Sequence, residues 1–237
     1  MVSEPLDFSR RAELSEWMDE PCNYSEFRDC LRDLGQLNRV VLSYRPTLNW
    51  LEQFVGKSNR PVYIIDVGCG GGDMLRRIES WARSRRVAVR LTGIDLNPFA
   101  AQAAREFAGP NCQIEWITGN AFGYQRDGPI DLVISSLFTH HLSDPEIVRF
   151  LQWMETVAER GWFINDLSRG RVSYGGFNAL AWLMRWHPFV QHDGPVSIRR
   201  SFVPDDWRAY IRAAGVNSNA AKILNVWPGR LCVARVK

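Results

Sequence analysis

The sequence lacks the features of an exported, disulfide-bonded or membrane-spanning protein. Its first residues do not form the basic, apolar and small-residue segments of a signal peptide, so we expect no leader. No uncharged stretch reaches the length of about 18 residues that a membrane-spanning helix needs. The 5 cysteines are odd in number and form no C-x-x-C pair. This pattern predicts free thiols and a cytoplasmic protein.

The sequence also lacks any concentration of charge of one sign. Its 29 basic and 26 acidic residues leave a net charge of +3, and the arginines are scattered singly or in pairs. A nucleic-acid-binding protein usually has a basic stripe that follows the phosphate backbone. No internal repeat or low-complexity tract is present, and 237 residues suffice for a full hydrophobic core. Length and composition therefore agree with one enzyme domain, and we expect no nucleic-acid partner.

The most informative stretch of the chain is residues 62–75. An apolar run, typical of a buried strand, ends in Asp66, and Gly68, Gly70 and Gly72 follow at alternate positions before a helical segment. Glycine permits positive φ and lets a ligand lie against the backbone, while a helix start offers free N–H donors. This stretch predicts a binding site for a small-molecule cofactor.

A dinucleotide is the nearest alternative cofactor. Its G-x-G-x-x-G fingerprint, counted from Gly68, requires glycine at position 73, where the chain has Asp73. An anionic pyrophosphate is also poorly placed beside Asp66, whereas a cationic amino group is well placed. The Asp-x-Gly-x-Gly-x-Gly spacing instead resembles the first motif of the class I S-adenosylmethionine (SAM) methyltransferases. In that family the acid and the loop surround the methionyl part of SAM, which implies a role for Asp66, Gly68, Cys69, Gly70 and Gly72.

The next predicted strand, residues 87–94, ends in a second acidic residue. The resemblance implies that Asp95 binds the ribose hydroxyls of SAM, as an acid at this position does in dinucleotide-binding proteins. It also implies that Leu96 lies beside the adenine. An aspartate in this place alone would more often cap the following helix.

The third and fourth predicted strands, residues 112–118 and 130–136, supply the remaining cofactor candidates. The family often has Gly-Asp-Ala after the third strand, and Asn120 and Ala121 stand there in this chain. Asn120 departs from the pattern, although its amide oxygen can still accept from the adenine amino group. Ser135, near the end of the fourth strand, is at the edge that faces the cofactor in the resembled family.

Histidines follow the fourth strand in the run Ser-Ser-Leu-x-x-His-His-Leu, where relatives bind the methyl acceptor. His140 and His141 are candidate general bases for removing the proton of an acceptor hydroxyl, or they only pack near the cofactor. His192 beside Asp193, and Asp166 at the tip of the fifth strand, are further candidates. No pattern resembles the metal-dependent catechol methyltransferases, so we predict no metal.

Strands alternate with helical segments from about residue 62 to 167, which predicts a parallel, doubly wound sheet. Residues 221–227 and 230–236 predict two final strands, and their two-residue link makes them an antiparallel hairpin. The fold class expected from the resemblance is an α/β, Rossmann-like, seven-stranded sheet with this antiparallel C-terminal hairpin. We predict helices over residues 74–83, 99–107, 144–159 and 204–214, and a fifth strand over 161–165.

Residues 1–58 are expected to form an N-terminal helical cap on a SAM-binding domain of residues 59–237. The cap has one apolar helix face that includes Phe27 and Leu31, with Ser25 as a candidate cap residue, and a second, short helix over 47–55. The candidates to contact the cofactor carboxylate or the substrate are Arg39, Tyr44 and Arg45, unless these residues are only solvated.

Residues 168–203 are expected to form a helical insert after the fifth strand. Its middle, residues 174–187, is apolar almost all round, and Pro188 should end this helix. A helix with two apolar faces buries one against its own fold. The other face covers an apolar substrate, forms a homodimer contact or adds to the core.

Residues 165–169 and 191–202 resemble a bacterial subgroup of small-molecule methyltransferases that act on phenolic, quinone-precursor or polyketide-type compounds. The resemblance implies methyl transfer from SAM to a small apolar or aromatic acceptor, at a hydroxyl oxygen. One alternative is a methyltransferase acting on tRNA or protein, although Ser135–Phe138 stands where N-methyltransferases of nucleic acids have Asn/Asp-Pro-Pro-aromatic. The other alternative is a non-catalytic SAM-binding protein.

Overall fold

The computed structural model describes residues 6–56, 60–126, 128–184 and 188–237. Within them, one seven-stranded sheet has the order β3-β2-β1-β4-β5-β7-β6. The strands are β1 (Val62–Val67), β2 (Val89–Asp95), β3 (Glu115–Thr118), β4 (Ile130–Ser136), β5 (Ala158–Leu167), β6 (Ala221–Val226) and β7 (Arg230–Val236). Strands β1 to β5 pair in parallel, and β7 pairs antiparallel with both β5 and β6. The predicted fold class is confirmed.

Helices cover both faces of the sheet and one of its edges. They are α1 (Tyr24–Val40), α2 (Arg45–Leu51), α3 (Asp73–Arg85), α4 (Pro98–Ala108), α5 (Asp144–Val157), α6 (Arg171–Met184), α7 (Pro188–Arg200) and α8 (Pro204–Ala213). In the described parts of the chain, no helix has both the length and the apolar character required to cross a bilayer.

The central strands bury both of their faces, which explains why they are almost continuously apolar in the sequence. Val133 and Trp162 pack on the side covered by α5 and α8. Leu132 and Phe163, their neighbours along the strands, pack on the opposite side against α2 and α3. The sheet therefore forms the middle layer between two hydrophobic cores. The loops that follow the strands lie outside these cores, at the carboxyl ends of the strands.

Three local predictions are corrected by the structure. Helix α1 is capped by Asn23, not by Ser25, because the Asn23 side chain accepts from the backbone N–H of Glu26 at 3.0 Å. Strand β3 begins at Glu115 rather than at residue 112. The second N-terminal helix begins at Arg45, with proline in its first turn, and its last residues form a 3₁₀ turn over Glu52–Phe54.

Within the described residues the insert contains two helices, α6 and α7, where the sequence predicts one. Pro188 is the first residue of α7, where a missing N–H costs nothing. Helix α7 continues through Pro195 because Val190 and Ile198 are buried, and this packing offsets the lost hydrogen bond. The predicted helix end at residues 185–187 and the predicted boundary between residues 58 and 59 lie outside the described residues.

The outer face of α6 exposes Trp182, Leu183 and Met184. These side chains belong to the second apolar face that the sequence predicts for this helix. The homodimer contact expected there stays a prediction.

An N-terminal strap, residues 6–23, crosses the sheet edge without regular structure apart from one 3₁₀ turn. Arg11 fastens it, because its guanidinium donates to the carbonyl oxygens of Arg200 at 2.8 Å and Leu142 at 2.8 Å. It also pairs with Asp144 at 2.7 Å. Farther along the strap, the backbone N–H groups of Trp17 and Met18 donate to the carboxylate of Asp193. The strap is therefore held at both ends.

We expect Arg11→Ala to lower the free energy of unfolding by about 2–3 kcal/mol, because it leaves several carbonyl oxygens without their charged donor. Urea unfolding measures this loss. Arg10→Ala is the matched control, since the Arg10 side chain is 87% exposed and has one ion pair at 3.8 Å. It should change stability by less than about 0.5 kcal/mol. Equal effects of the two substitutions would contradict the role of Arg11.

Candidate active site

A cavity of about 870 Å³ lies over the carboxyl ends of β1, β2, β4 and β5. Helices α1, α6 and α7 and the strap enclose it. Much of its wall is apolar and includes Leu31, Leu34, Phe177, Leu180, Val190 and Ile198. In an open parallel sheet, ligands bind at this edge, and cavities of this size hold small molecules. Its polar groups include one set at the glycine loop and another at the strap.

Asp66 is the polar group at the end of β1, and its side chain is 2% exposed. Its Oδ1 atom has no hydrogen-bond partner among the described residues. Burial raises the pKa of Asp66 well above its usual value, and the nearby Asp73 and Asp95 raise it further. A buried carboxylate in this state requires a cation or a donor. The ammonium group of a bound SAM molecule fits this requirement.

The glycine loop is held in shape by Asp95. The carboxylate of Asp95 accepts from the backbone N–H of Gly70 at 2.8 Å and of Asn97 at 2.9 Å. Gly68 has φ +71°, and a Cβ atom there would lie 2.5 Å from the ring of Phe138. Only glycine fits this position, so backbone forms the floor of the cavity at this point.

Eight of the candidate site residues predicted from the sequence line the cavity: Tyr44, Asp66, Gly68, Cys69, Gly70, Asp95, His140 and His141. The others lie outside its lining. Gly72 begins α3 behind the loop, Ala121 is buried, and the Ser135 hydroxyl donates to the carbonyl of Val67. Leu96 and Arg45 are exposed, Asn120 caps a 3₁₀ turn, and His192 stacks on Trp17 with ring centroids 3.9 Å apart.

The second polar group of the wall contains both histidines of the fourth-strand loop. The Nδ1 atom of His140 lies 2.7 Å from Asp166, and the Nδ1 atom of His141 lies 3.1 Å from Asp19. Their Nε2 atoms face the carboxylate of Glu16, at 3.6 Å and 3.8 Å. We call these five residues the polar cluster.

Charges in the polar cluster are strongly coupled. Burial alone would raise the pKa of Asp166, but the His140 imidazole and the Thr139 hydroxyl outweigh it, so this pKa is lowered. The same competition, with His141 and Arg200 as the partners, lowers the pKa of Asp19. Burial raises the pKa of Glu16 because its charged partners compensate only in part. Glu16 is therefore the carboxylate of the cluster that most needs a positive neighbour.

Sequence reasoning missed Glu16, Asp19 and Arg200. Arg200 contacts Asp19 at 2.7 Å and Glu16 at 3.4 Å, although it stands at the far end of α7. Reasoning from the sequence also missed Asp73, which accepts from the Tyr44 hydroxyl at 2.8 Å beside the glycine loop. Glu16 and Asp19 lie in an irregular segment without periodicity or a motif, so no sequence signal marks them.

Comparisons with known proteins indicate the family of this chain. A family profile described as a methyltransferase domain matches residues 64–161. The chain is 30% identical over 169 residues to the ubiquinone biosynthesis O-methyltransferase of Albidiferax ferrireducens, covering 69% of this chain and 61% of that one. It is 31% identical over 179 residues to the enzyme of the same name from Leptothrix cholodnii, covering 73% and 67%. The match thus spans less than two thirds of the first relative's length.

The fold is also shared with solved structures. Human N-acetylserotonin methyltransferase in complex with SAM superposes with a TM-score of 0.62 at 14% identity, covering 91% of this chain and 56% of that one. Such a low identity shows the fold alone. The family follows from the sequence matches together with the glycine loop, and the chain belongs to the class I SAM-dependent methyltransferases.

Proposed function

We propose that the protein transfers a methyl group from SAM to the hydroxyl oxygen of a small, mainly apolar molecule. The observation that carries this proposal is the cavity itself, in which apolar side chains of α1, α6 and α7 lie beside Glu16, His140 and His141 of the polar cluster. When bound, SAM supplies an electrophilic methyl group on a sulfonium. The residues proposed to hold it are Asp66 and the loop backbone at Gly68 and Gly70, with Asp95 at the ribose.

The polar cluster supports a hydroxyl as the methylated group. The Nδ1 atoms of His140 and His141 are directed to carboxylates, so a neutral imidazole at either position has an acceptor at Nε2, as the Glu16 carboxylate has at its oxygens. A hydroxyl can donate to such a cluster and lose its proton there. The concentration of carboxylates disfavours an anionic acceptor. His192 is stacked on Trp17 and outside the cavity lining, so we assign it no catalytic part.

The names of the two bacterial relatives are consistent with the proposed reaction, because both are called O-methyltransferases of ubiquinone biosynthesis. The large apolar wall favours an aromatic or prenylated acceptor over a sugar or an amino acid. Proximity supplies much of the acceleration in such transfers, since donor and acceptor are held in line in one cavity. Proton removal by a well-placed group adds roughly 10²–10⁴ in rate.

A matched panel of acceptors tests this proposal. Purified protein is incubated with trideuteromethyl-labelled SAM and 2-naphthol, 2-naphthylamine or 2-naphthoic acid, which share one ring system. We expect the label on the naphthol only, detected by mass spectrometry. Preferential labelling of the amine or of the acid would contradict the proposed acceptor group. Labelling of tRNA or protein instead, or SAM binding without turnover on any acceptor, would favour the alternative functions.

A further inference from the structure

Three potential metal ligands converge at the wall of the cavity. They are the imidazoles of His140 and His141 and the carboxylate of Glu16, and each offers one ligand atom within 4.8 Å of the other two. The Nε2 atom of His140 lies 3.6 Å from Oε1 of Glu16, and the Nε2 atom of His141 lies 3.8 Å from Oε2 of the same carboxylate. Ligand atoms about 2.0–2.2 Å from one zinc ion in a tetrahedral arrangement are separated by distances only slightly shorter than these.

The hydrogen bonds of the two imidazoles leave this arrangement short of a positive charge. A neutral imidazole whose Nδ1–H donates to a carboxylate has a lone pair on Nε2. Asp166 accepts from His140 and Asp19 accepts from His141, so with both imidazoles neutral two lone pairs and a carboxylate face one another. Three acceptors in contact repel one another unless a proton or a cation lies between them.

The surroundings match those of known metal sites. A metal-binding histidine usually donates its other N–H to a carboxylate, which fixes the ring and raises its basicity. Both histidines have this partner, and Asp166 and Glu16 are buried. Arg200 contacts Glu16 and Asp19, whereas Asp166 contacts His140. A divalent cation would add positive charge where three carboxylates meet and one guanidinium contacts two of them.

We propose that Glu16, His140 and His141 bind one divalent cation of the zinc class, with Asp166 and Asp19 orienting the two imidazoles. Two nitrogens and one carboxylate oxygen are the donor set of zinc sites that keep a fourth position open. This proposal replaces the expectation, from the sequence, of a protein without a metal.

The role of the cation rests on the proposed function, although its binding does not. A cation held by these three residues would border the cavity, where the acceptor hydroxyl is expected. A hydroxyl oxygen bound to such a cation would lose its proton to solvent water. A bound divalent cation lowers the pKa of a coordinated O–H group strongly. The hydroxyl would therefore be ionised before methyl transfer.

Metal binding to the full-length protein tests the site directly. The protein is stripped with a chelator, exposed to Zn²⁺ or Co²⁺ and freed of excess metal, and its metal content and the Co²⁺ absorption bands are measured. We expect about one equivalent for the wild type. Loss of an orienting carboxylate typically lowers metal affinity about 10–100-fold, so Glu16→Gln and His141→Ala, which remove a ligand, should lower it more. Both variants should remain folded, as judged by circular dichroism, because the His141 side chain is 29% exposed and Gln is isosteric with Glu.

Glu20→Gln is the matched control, since Glu20 is an exposed carboxylate four residues from Glu16, and it should retain the metal. No zinc in the wild type, or equal zinc in the wild type and both ligand variants, would overturn the site.

Failure of the metal site and failure of the proposed function are distinguishable. Methylation of 2-naphthol at full rate by protein that binds no zinc would refute the metal site and leave the proposed reaction standing. Zinc binding lost in the ligand variants, without methylation, supports the site and refutes the reaction.

Discussion

Asp66→Asn is expected to weaken SAM binding at least about 30-fold, because truncating one partner of a buried ion pair costs 2 kcal/mol or more. The same substitution should stabilise the protein in the absence of SAM. Asp66 is a buried carboxylate with one oxygen that has no partner among the described residues. An amide of the same size removes its charge and the repulsion from Asp73 and Asp95. Binding and stability should therefore change in opposite directions.

The pH dependence of stability follows from the same residue. The pKa of Asp66 is raised in the folded protein, so the folded state holds its proton more tightly than the unfolded state. The contribution of this group to stability is full below the ordinary aspartate pKa. It is lost as the pH rises from that value through the raised pKa of the folded state. Asp66→Asn should remove this decline, and the gain in stability should be largest at neutral pH.

Thermal unfolding without and with SAM measures both effects, at roughly 2–4 °C in Tm per kcal/mol for a chain of this size. Asp131→Asn is the matched control. Asp131 is equally buried, but it accepts from Arg60 at 2.7 Å and from the backbone N–H of Tyr63 at 2.8 Å. Its substitution should lower Tm and leave SAM affinity unchanged. A lower Tm for Asp66→Asn, or unchanged SAM affinity, would contradict the assignment of Asp66.

Gly72→Ala is expected to destabilise the protein by about 2–4 kcal/mol, from left-handed backbone strain and overpacking together. Gly72 has φ +71°, and a Cβ atom there would lie 2.2 Å from the ring of Trp116. Trp116 is buried under the glycine loop and cannot move aside without opening the core. The alanine variant should therefore lose both stability and SAM binding.

Gly70→Ala separates the two effects within one loop. Gly70 also has positive φ, at +49°, but a Cβ atom there would come no closer than 3.4 Å to its nearest neighbour, Leu31. We expect a loss of only about 1 kcal/mol from backbone strain. SAM binding should still weaken because this position lines the cavity. Urea unfolding and SAM titration of both variants test the pair. Equal free energies of unfolding for Gly72→Ala and Gly70→Ala would contradict the role of Trp116, because they would show that its ring moves aside.

The part of the site built from consecutive residues could be predicted from the sequence. Asp66 and the glycines belong to one strand–loop–helix unit, so their spacing alone indicates their arrangement. Asp95 follows from the neighbouring parallel strand, because carboxyl ends of parallel strands meet at one edge. His140 and His141 are implied by the family resemblance, and they follow β4, the other neighbour of β1.

The part that depends on distant chain segments could not be predicted. Glu16 meets His140 across more than 120 positions of sequence, and it does so only because Arg11 and Asp193 fasten the strap. Helix α7 was missed for a related reason. Gly194 and Pro195 indicate a break in any local pattern, whereas burial of Val190 and its neighbours keeps the helix continuous. Tertiary packing overrides propensity in both cases.

A crystal structure of the protein with S-adenosylhomocysteine and 2-naphthol tests the central claim most directly. The account predicts the amino group of the nucleoside against the Asp66 carboxylate and its ribose at Asp95. It predicts the naphthol oxygen at the cluster formed by Glu16, His140 and His141, with the ring among the apolar side chains of α6 and α7. A naphthol oxygen directed away from that cluster, or a nucleoside bound outside the cavity, would contradict it.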